Sequence, residues 1–550
     1  MKAVCSSRSD AVRRDAIPRS EWLTLAALAA SMVVLRAIAF FHHRVDSDET
    51  QHLHVAWGWT AGLLQYRDVF DNHAPLFHML SAPLVAILGE RPDVILWMRG
   101  AMVPLFFASL VSTFFIARCL YSVRTACWTV AIAAAYPPFF LKSLEYRTDN
   151  LWSALWLLAM ALLVTRKSTS LAGFVLGCAL CTSMKTLPLL FSLAIATLIA
   201  RFLFDRERSL LPLLRRIAAP AAAFLVAPVI LGAYFLVRGA WRPMLYCVFE
   251  FNLFATRTRP HAVIGRWLFP AALLLMILFA ARIGERLGRD ERLRDRWWVG
   301  LVVFTYFLTT QAFWPILSQR DYLAVIPLIA MFLVAHGLEL EWGSFPVPAA
   351  AALTLAFTIS LFHYEEMFRD RTRGHIAMMR DVLALTRPGD CVMDLKGETI
   401  YRRRPFYYAL ETIARSAISS RVLTDTIPEA VIDSRCHVAG PDASYFPRRG
   451  RAFLSANFIQ LGSLRAAGQW IESNGSFSVA VPGRYVMAGR DGLARGTLDG
   501  ARCDGPVWLH AGTHRFLRSA AGEPVASLWA EAFERGYSPF RLREGSRARR

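Results

Sequence analysis

Runs of about twenty apolar residues recur along this chain, separated by short arginine-rich loops, and that alternation leaves few folds open. A helix needs roughly 20 apolar residues to cross a bilayer's hydrocarbon. Only helices or closed barrels satisfy their backbone groups there. The runs fall at 22–41, 97–117, 126–141, 150–165, 170–184, 187–204, 217–237, 267–282, 297–313, 321–338 and 346–362. They predict a polytopic α-helical membrane protein of about eleven crossings. The 55% hydrophobic composition and mean hydropathy of +0.35 agree. A net charge of +20 would suggest a nucleic-acid partner in a soluble chain. Here the basic residues lie between apolar runs, where they set topology. No nucleic-acid-binding motif accompanies them, so no nucleic acid is expected as a partner.

The loops give the orientation. With the N-terminus inside, the cytoplasmic loops hold Arg118 and Arg124, then Arg166 and Lys167, then Arg201, Arg206, Arg208, Arg215 and Arg216. The next holds six arginines between Arg282 and Arg296. Positive charge stays inside at loop after loop. Loop 339–345, with Glu339 and Glu341, gives no such support. Arg8, Arg13, Arg14 and Arg19 precede an apolar run too long for a signal-peptide core, so the first span is expected to stay as an anchor. An odd number of crossings puts the C-terminus outside. The expected division is a membrane domain at 1–363 and a C-terminal periplasmic domain at 364–550, in a cell inner membrane.

Residues 42–96 form the first external loop rather than a span. Within it, 49–64 reads as an amphipathic surface helix and 75–89 as a short juxtamembrane or re-entrant helix. Beyond His363, helical character runs to about 386 and RPGD marks a turn. CVMDLKG, FSVAVPGRYVMAG, GTLDG and GPVWLHAGTHRF then read as strands and turns. The C-terminal domain is therefore expected to be mixed α/β and β-rich. Tyr485, Trp508 and Phe516 on those strands are aromatic candidates for sugar stacking, against a plain core role. Cys178 and Cys181 form a CxxC within an apolar run and read as helix packing. Cys391, Cys436 and Cys503 lie in the C-terminal domain, which in a periplasm would allow one disulfide and leave one thiol over.

Acidic groups cluster at the external ends of spans. Asp46, Asp48 and Glu49 follow the first span, with His52, His54 and His73 nearby. Glu145, Arg147 and Asp149 occupy the next external loop. Solvated loop charge is the ordinary reading of such residues. Their recurrence at span ends points instead to function, because ionisable groups at membrane depth are costly.

The block DSDETQHLHVAWGWTAGLLQYRDVFDNHAPLFHML resembles the first external loop of GT-C class glycosyltransferases, which include protein O-mannosyltransferases and lipid A aminoarabinose transferases. Asp48-Glu49, Gly62 and His73-Ala74-Pro75-Leu76 match in order. Ala74 stands where a Pro is common. Glu145 to Asp149 resembles the acidic motif of the second external loop, with Thr148 at a common Pro position. Arg320-Asp321-Tyr322 followed by Pro327 is similar to the pattern opening a late span. The resemblance covers roughly residues 20–340.

What it implies is transfer of a sugar, hexose or pentose, from a polyprenyl-phosphate donor to a glycan, lipid or protein acceptor on the periplasmic face. An acceptor hydroxyl needs a base within hydrogen-bond reach, and the resemblance gives that role to Asp48, with Glu49 beside it. Asp149 would orient the base, bind acceptor or ligate metal. The leaving phosphate needs positive charge. Arg320 and Lys185 are the candidates, with Arg147 behind them; an arginine reaching lipid headgroups is the alternative for Arg320. Asp46, His52, His73, Glu145 and Tyr322 complete the candidate set. Some proteins of this class use a divalent metal ion, for which Glu49, His52, His54, His73 and His261 are the candidate ligands. The competing class is a transporter or flippase of lipid-linked saccharides. Such proteins carry midplane polar residues and internal repeats, whereas here the acids sit at span ends and no repeat is found.

Overall fold

The computed structural model of the protein describes residues 17–204, 211–253, 291–314, 317–339, 346–364, 369–440, 443–519 and 524–540. The expected span at 267–282 and the candidate ligand His261 lie outside the described residues. The chain divides into two compact units. The first comprises Met1–Arg44, Asn72–Leu80 and Leu96–Arg371; the second comprises Val45–Asp71, Ser81–Ile95 and Thr372–Arg550.

The first unit is helical. Its helices include Arg19–His42, Val103–Leu120, Val123–Ala135, Pro137–Lys142, Thr148–Val164, Thr169–Leu180, Thr186–Phe204, Leu211–Val237, Glu291–Phe313, Ile326–Glu339 and Pro346–Tyr364. Each apolar run within the described residues is thus helical, although the run at 126–141 is broken where Pro137 opens a second short helix. Among the described residues, three segments, Arg19–His42, Val94–Leu120 and Arg215–Val237, are long and apolar enough to cross a membrane. The core gathers around Trp152, Trp156 and Met160 with Ile116, Leu189, Val302, Leu328 and Met331. Gly173 and Gly177 stand four apart on one helix face. A Cβ at either would lie 2.1 Å from a backbone oxygen, that of Pro220 or of Phe224. Only glycine allows so close a helix crossing.

Polar contacts within this unit sort by the side that the charge pattern assigns. Arg124 pairs with Glu21 at 2.5 Å, and Arg166 reaches Glu291 at 2.5 Å and Asp295 at 3.1 Å; all five residues flank loops expected inside. Asn252 donates to the Asn72 carbonyl at 2.8 Å, and both belong to loops expected outside.

In the second unit, helix Ser47–Thr60 is followed in sequence by residues 61–71 and 81–95, then by helix Arg373–Leu385 and two sheets. One sheet runs β1 (Val392–Met393), β2 (Val438–Ala439), β4 (Leu464–Trp470), β12 (Ala526–Trp529), β6 (Gly483–Gly489) and β10 (Val507–Leu509). In the same sheet β3 (Phe458–Leu461) pairs with β4, and β7 (Gly492–Leu493) with β6. The second sheet is ordered β5 (Ser476–Val479), β11 (Gly512–Arg518), β8 (Gly496–Leu498) and β9 (Ala501–Cys503). Among the strands of the described residues, β1 and β2 pair in parallel and the other strand pairs are antiparallel. The mixed, β-rich expectation matches. Tyr485 and Phe516 are buried in the core, whereas Trp508 is exposed.

One expectation is corrected. Residues 49–64 do not form an amphipathic surface helix: the helix ends at Thr60, and every residue from Glu49 to Gly58 is buried. The polar residues in this stretch, among them Gln51, His52 and His54, are buried rather than exposed on one face.

Candidate functional site

Asp48 sits in the first turn of helix Ser47–Thr60. Asp46 caps that helix: its Oδ1 accepts from the Asp48 N–H at 3.0 Å, and Glu49 Oε2 accepts from the Asp46 N–H at 3.0 Å. This reciprocal capping box satisfies two amides that the helix leaves unpaired. It commits Asp46 and Glu49 to holding the turn and leaves Asp48 as the acid presented from it. The Asp48 carboxylate accepts a hydrogen bond from the Lys396 ammonium.

Lys396 comes from a loop pinned by Asp394. The buried Asp394 carboxylate accepts from the amides of Gly397 (2.8 Å) and Thr399 (2.9 Å), the Thr399 hydroxyl (2.7 Å) and Arg404 Nε (2.8 Å). Gly397 has φ +101°, and a Cβ there would lie 2.6 Å from His54 Cβ, so the loop closes on the helix only with glycine. His54 donates Nδ1–H to the Ile400 carbonyl at 2.8 Å. Burial holds its imidazole below the ordinary value, hence neutral near pH 7. The segment around Glu90 is tied to the same loop: Tyr401 Oη donates to the Gly89 carbonyl at 3.1 Å, and Arg402 reaches Glu90 at 2.8 Å. Beside Lys396, Glu398 is pushed up to about 7, by burial and then by the Asp394 charge.

A cavity of about 500 Å³, within the size range of small-molecule sites, touches this helix at His54 and this loop at Arg403 and Arg404, without Asp48 or Lys396 in its walls. Its walls include His54, Arg67, Asp68, Phe70, Arg403, Arg404, Phe406 and Tyr407. Arg67 is paired with Asp68 at 2.8 Å, and Arg404 with Asp394 at 2.8 Å. Arg403 is exposed. Lys396, Asp394 and Arg404 were not among the sequence candidates. The signal was the run DLKGE after a short strand, but nothing in the sequence ties it to a helix some 350 positions earlier.

The first unit holds a separate charge network, built from turns that precede helices. Glu145 lies between Pro137–Lys142 and Thr148–Val164. It receives Lys142 at 2.8 Å, Arg320 at 2.9 Å and His43 at 3.5 Å. Burial opposes its ionisation, yet the His43 hydrogen bond and the charges of Arg320, Lys142 and Arg147 hold the carboxyl well below the usual carboxylate range. Asp149, in the first turn of its helix, pairs with Lys185 at 2.5 Å and Arg147 at 3.0 Å. Lys185 also reaches Asp321 at 2.7 Å. Asp321 in turn accepts from the Ser318 amide at 2.6 Å, which closes the turn 318–322. Four cations (Lys142, Arg147, Lys185 and Arg320) therefore meet three carboxylates. The three turns involved are all assigned to the external side by the charge pattern. Arg320 is engaged with Glu145 rather than extended toward headgroups. Tyr322 Oη accepts from Gln311 at 2.6 Å. His52 is buried, and His73 is half-buried just before helix Leu76–Leu88.

The candidate metal ligands within the described residues, Glu49, His52, His54 and His73, do not assemble. Among the described residues, no three His, Cys, Asp or Glu side chains converge to hold an ion. Glu49 serves the capping box, and His54 is fixed by Ile400.

No family model matches the sequence, and no curated protein matches it. Solved structures do. The chain is similar to ArnT from Cupriavidus metallidurans bound to undecaprenyl phosphate: TM-score 0.51 at 14% identity, over 77% of this chain and 94% of that one. The same enzyme in the apo state aligns at TM-score 0.44 and 13% identity over 82% and 98%. The Archaeoglobus fulgidus oligosaccharyltransferase in complex with Zn and sulfate aligns at 0.43 and 12% over 80% and 71%. At such low identity the likeness to undecaprenyl-phosphate-bound ArnT is one of fold, and it extends over nearly all of that chain. Together with the apolar helices and the β-rich C-terminal region, it shows that this chain has a GT-C-like fold, with helices long and apolar enough to cross a membrane.

Proposed function

We propose that the protein is a glycosyltransferase that moves one hexosyl or pentosyl unit from a polyprenyl-phosphate donor to an acceptor on the periplasmic face of a cell inner membrane. The observation that carries this reading is Asp48. It stands between the two acids of a capping box, is held by Lys396, and belongs to the helix from which His54 reaches the cavity wall. ArnT, whose fold the chain shares, was solved with undecaprenyl phosphate, the product such a donor would leave.

In the proposed step, Asp48 takes the proton of an acceptor hydroxyl as its oxygen attacks the anomeric carbon. The bond from that carbon to the phosphate oxygen breaks, its electron pair leaves with the phosphate, and the configuration inverts. Within the first unit, the cation excess around Arg320, Lys185 and Arg147 suits a phosphate group. Asp149 positions Lys185 and Arg147. The cavity beside Phe70, Phe406 and Tyr407 suits an acceptor that stacks a sugar face on aromatic rings.

The test is donor turnover. Purified wild-type and Asp48→Asn proteins are incubated with a panel of polyprenyl-phosphate sugars and an envelope extract as acceptor source. Released polyprenyl phosphate is followed by mass spectrometry. Release by wild type alone is expected and names the sugar. Wild-type rates in folded Asp48→Asn would remove Asp48 from its role. No release from any donor would turn attention to flipping assays in liposomes.

A further inference from the structure

Three cysteines lie in the second unit's C-terminal stretch, and their surroundings differ. Cys391 immediately precedes β1, and Cys436 lies two residues before β2. The parallel register pairs Val392 with Val438 and Met393 with Ala439, which sets Cys391 opposite His437, one residue from Cys436. Both cysteines lie just before the paired residues, at the same end of two neighbouring parallel strands, and outside the regular alternation of faces that those strands impose. Each thiol influences the other's acidity, as neighbours do, while the Cys436 thiol itself donates to the Val438 carbonyl at 3.5 Å. Cys503 belongs to the other sheet, on β9, with its thiol directed at the Gly505 carbonyl at 3.8 Å.

The pair is also unequal, as an exchange reaction requires. Cys391 is half-buried, with Ser434 Oγ and the Ser434 carbonyl each 3.9 Å from its sulfur. The neighbouring Cys436 holds the Cys391 thiol below its ordinary value, while burial pushes Cys436 up. The more acidic, more accessible thiol is the one that attacks an oxidant, and the buried one resolves the product.

We infer that Cys391 and Cys436 form a disulfide in the working protein, and that it closes the loop carrying Lys396. The Cys391 thiolate attacks a disulfide oxidant, RSSR, forming a mixed disulfide and releasing one RS⁻. Cys436 then gives up its proton and displaces the second RS⁻. Two protein thiols lose two protons and two electrons, and RSSR is reduced to two thiols. The cross-link encloses residues 391–436, which include Asp394, Lys396, Glu398 and Arg404. The isolated bridge between Cys391 and Arg403 brings the far end of the inner loop back to the same cysteine. Residues 394–403 would thus be clamped at their base, with Lys396 at the tip on Asp48. The inference rests on the proposed periplasmic placement of this domain, since disulfides persist in oxidising compartments.

Two measurements test it, and neither reads glycosyl transfer, so failure here is distinct from failure of the transfer assay. In the first, full-length purified protein is reduced, exposed to oxidised glutathione, alkylated, digested and analysed by mass spectrometry. A Cys391–Cys436 peptide two hydrogens lighter, with Cys503 alkylated, is expected. Separate alkylation of the two, or pairing of either with Cys503, overturns the assignment. In the second, cells are acid-quenched and alkylated before lysis. The same cross-linked peptide is expected without added oxidant, together with a melting temperature that falls by several degrees on reduction. Free Cys391 and Cys436 in cells, from protein that cross-links when purified, would overturn the disulfide as a feature of the working protein.

Discussion

Glu145 is surrounded by Lys142, Arg147 and Arg320, whereas Glu398 has Asp394 for a neighbour, and the two carboxyls are displaced in opposite directions. The consequences for stability have opposite signs. Glu145 has a depressed folded value, so its contribution is present above the ordinary value of 4.5 and is lost as pH falls below it. Glu145→Gln leaves buried cations uncompensated and should cost about 3–5 kcal/mol at neutral pH, read as a lowered melting temperature in detergent. Glu398 has a raised folded value, so stability is full below 4.5 and declines as pH rises to about 7. Glu398→Gln keeps an oxygen for the Lys396 amide. It should match wild type at pH 4 and exceed it at pH 8, by about 1–3 kcal/mol. Thermal melts at both pH values check this, and equal gains at both would refute the linkage. Most of the acids in these sites were visible in the sequence because they stand next to spans. Their partners were not. Lys396 is 348 residues from Asp48, and an ion pair over that separation leaves no periodicity or motif.

Helices were the most legible elements, because twenty apolar residues make a strong local signal. The glycine pair at 173 and 177 was less so: its spacing was present, but the partner helix Leu211–Val237 was not indicated. Adding a methyl group makes a sharp test. Gly173→Ala and Gly177→Ala each force a Cβ onto a backbone oxygen that cannot move alone, and should lower stability by about 1–3 kcal/mol or more. Gly300→Ala is the control, since its nearest neighbour would be the Phe332 ring tip at 3.7 Å, and it should be tolerated. Detergent melting temperatures of the three variants decide the matter. Helix Ser47–Thr60 shows the reverse case. Its existence was legible, as the helical stretch expected at 49–64, but its burial was not. What covers it includes the loop after β1, far along the chain, and polar residues such as Gln51 and His54 gave no hint of an interior.

For the molecule as a whole, the arginine pattern sorted the loops into two sets, and contacts such as Arg166–Glu291 and His43–Glu145 fall within one set or the other. The physical reason is that both patterns answer to the same barrier: loops that do not cross the bilayer can only pair with loops on their own side. Which set faces the cytoplasm is testable by labelling. A membrane-impermeant maleimide should modify a cysteine at Ser444, in the C-terminal stretch, on intact spheroplasts. A cysteine at Lys167 should react only after the membrane is opened. The opposite pattern would invert the proposed orientation.

The second unit draws on three stretches of chain, Val45–Asp71, Ser81–Ile95 and Thr372–Arg550, and this imposes an order on biogenesis. Its first two pieces leave the ribosome before the helical segments from residue 96 to 371 are made. At about 10 residues per second, helix Ser47–Thr60 would wait roughly half a minute for the loop that covers it. During that interval its buried surface needs a temporary shield, from lipid or a chaperone. A truncated protein that stops before Thr372 would keep that need for good, and so should be marked for proteolysis even with every span in place.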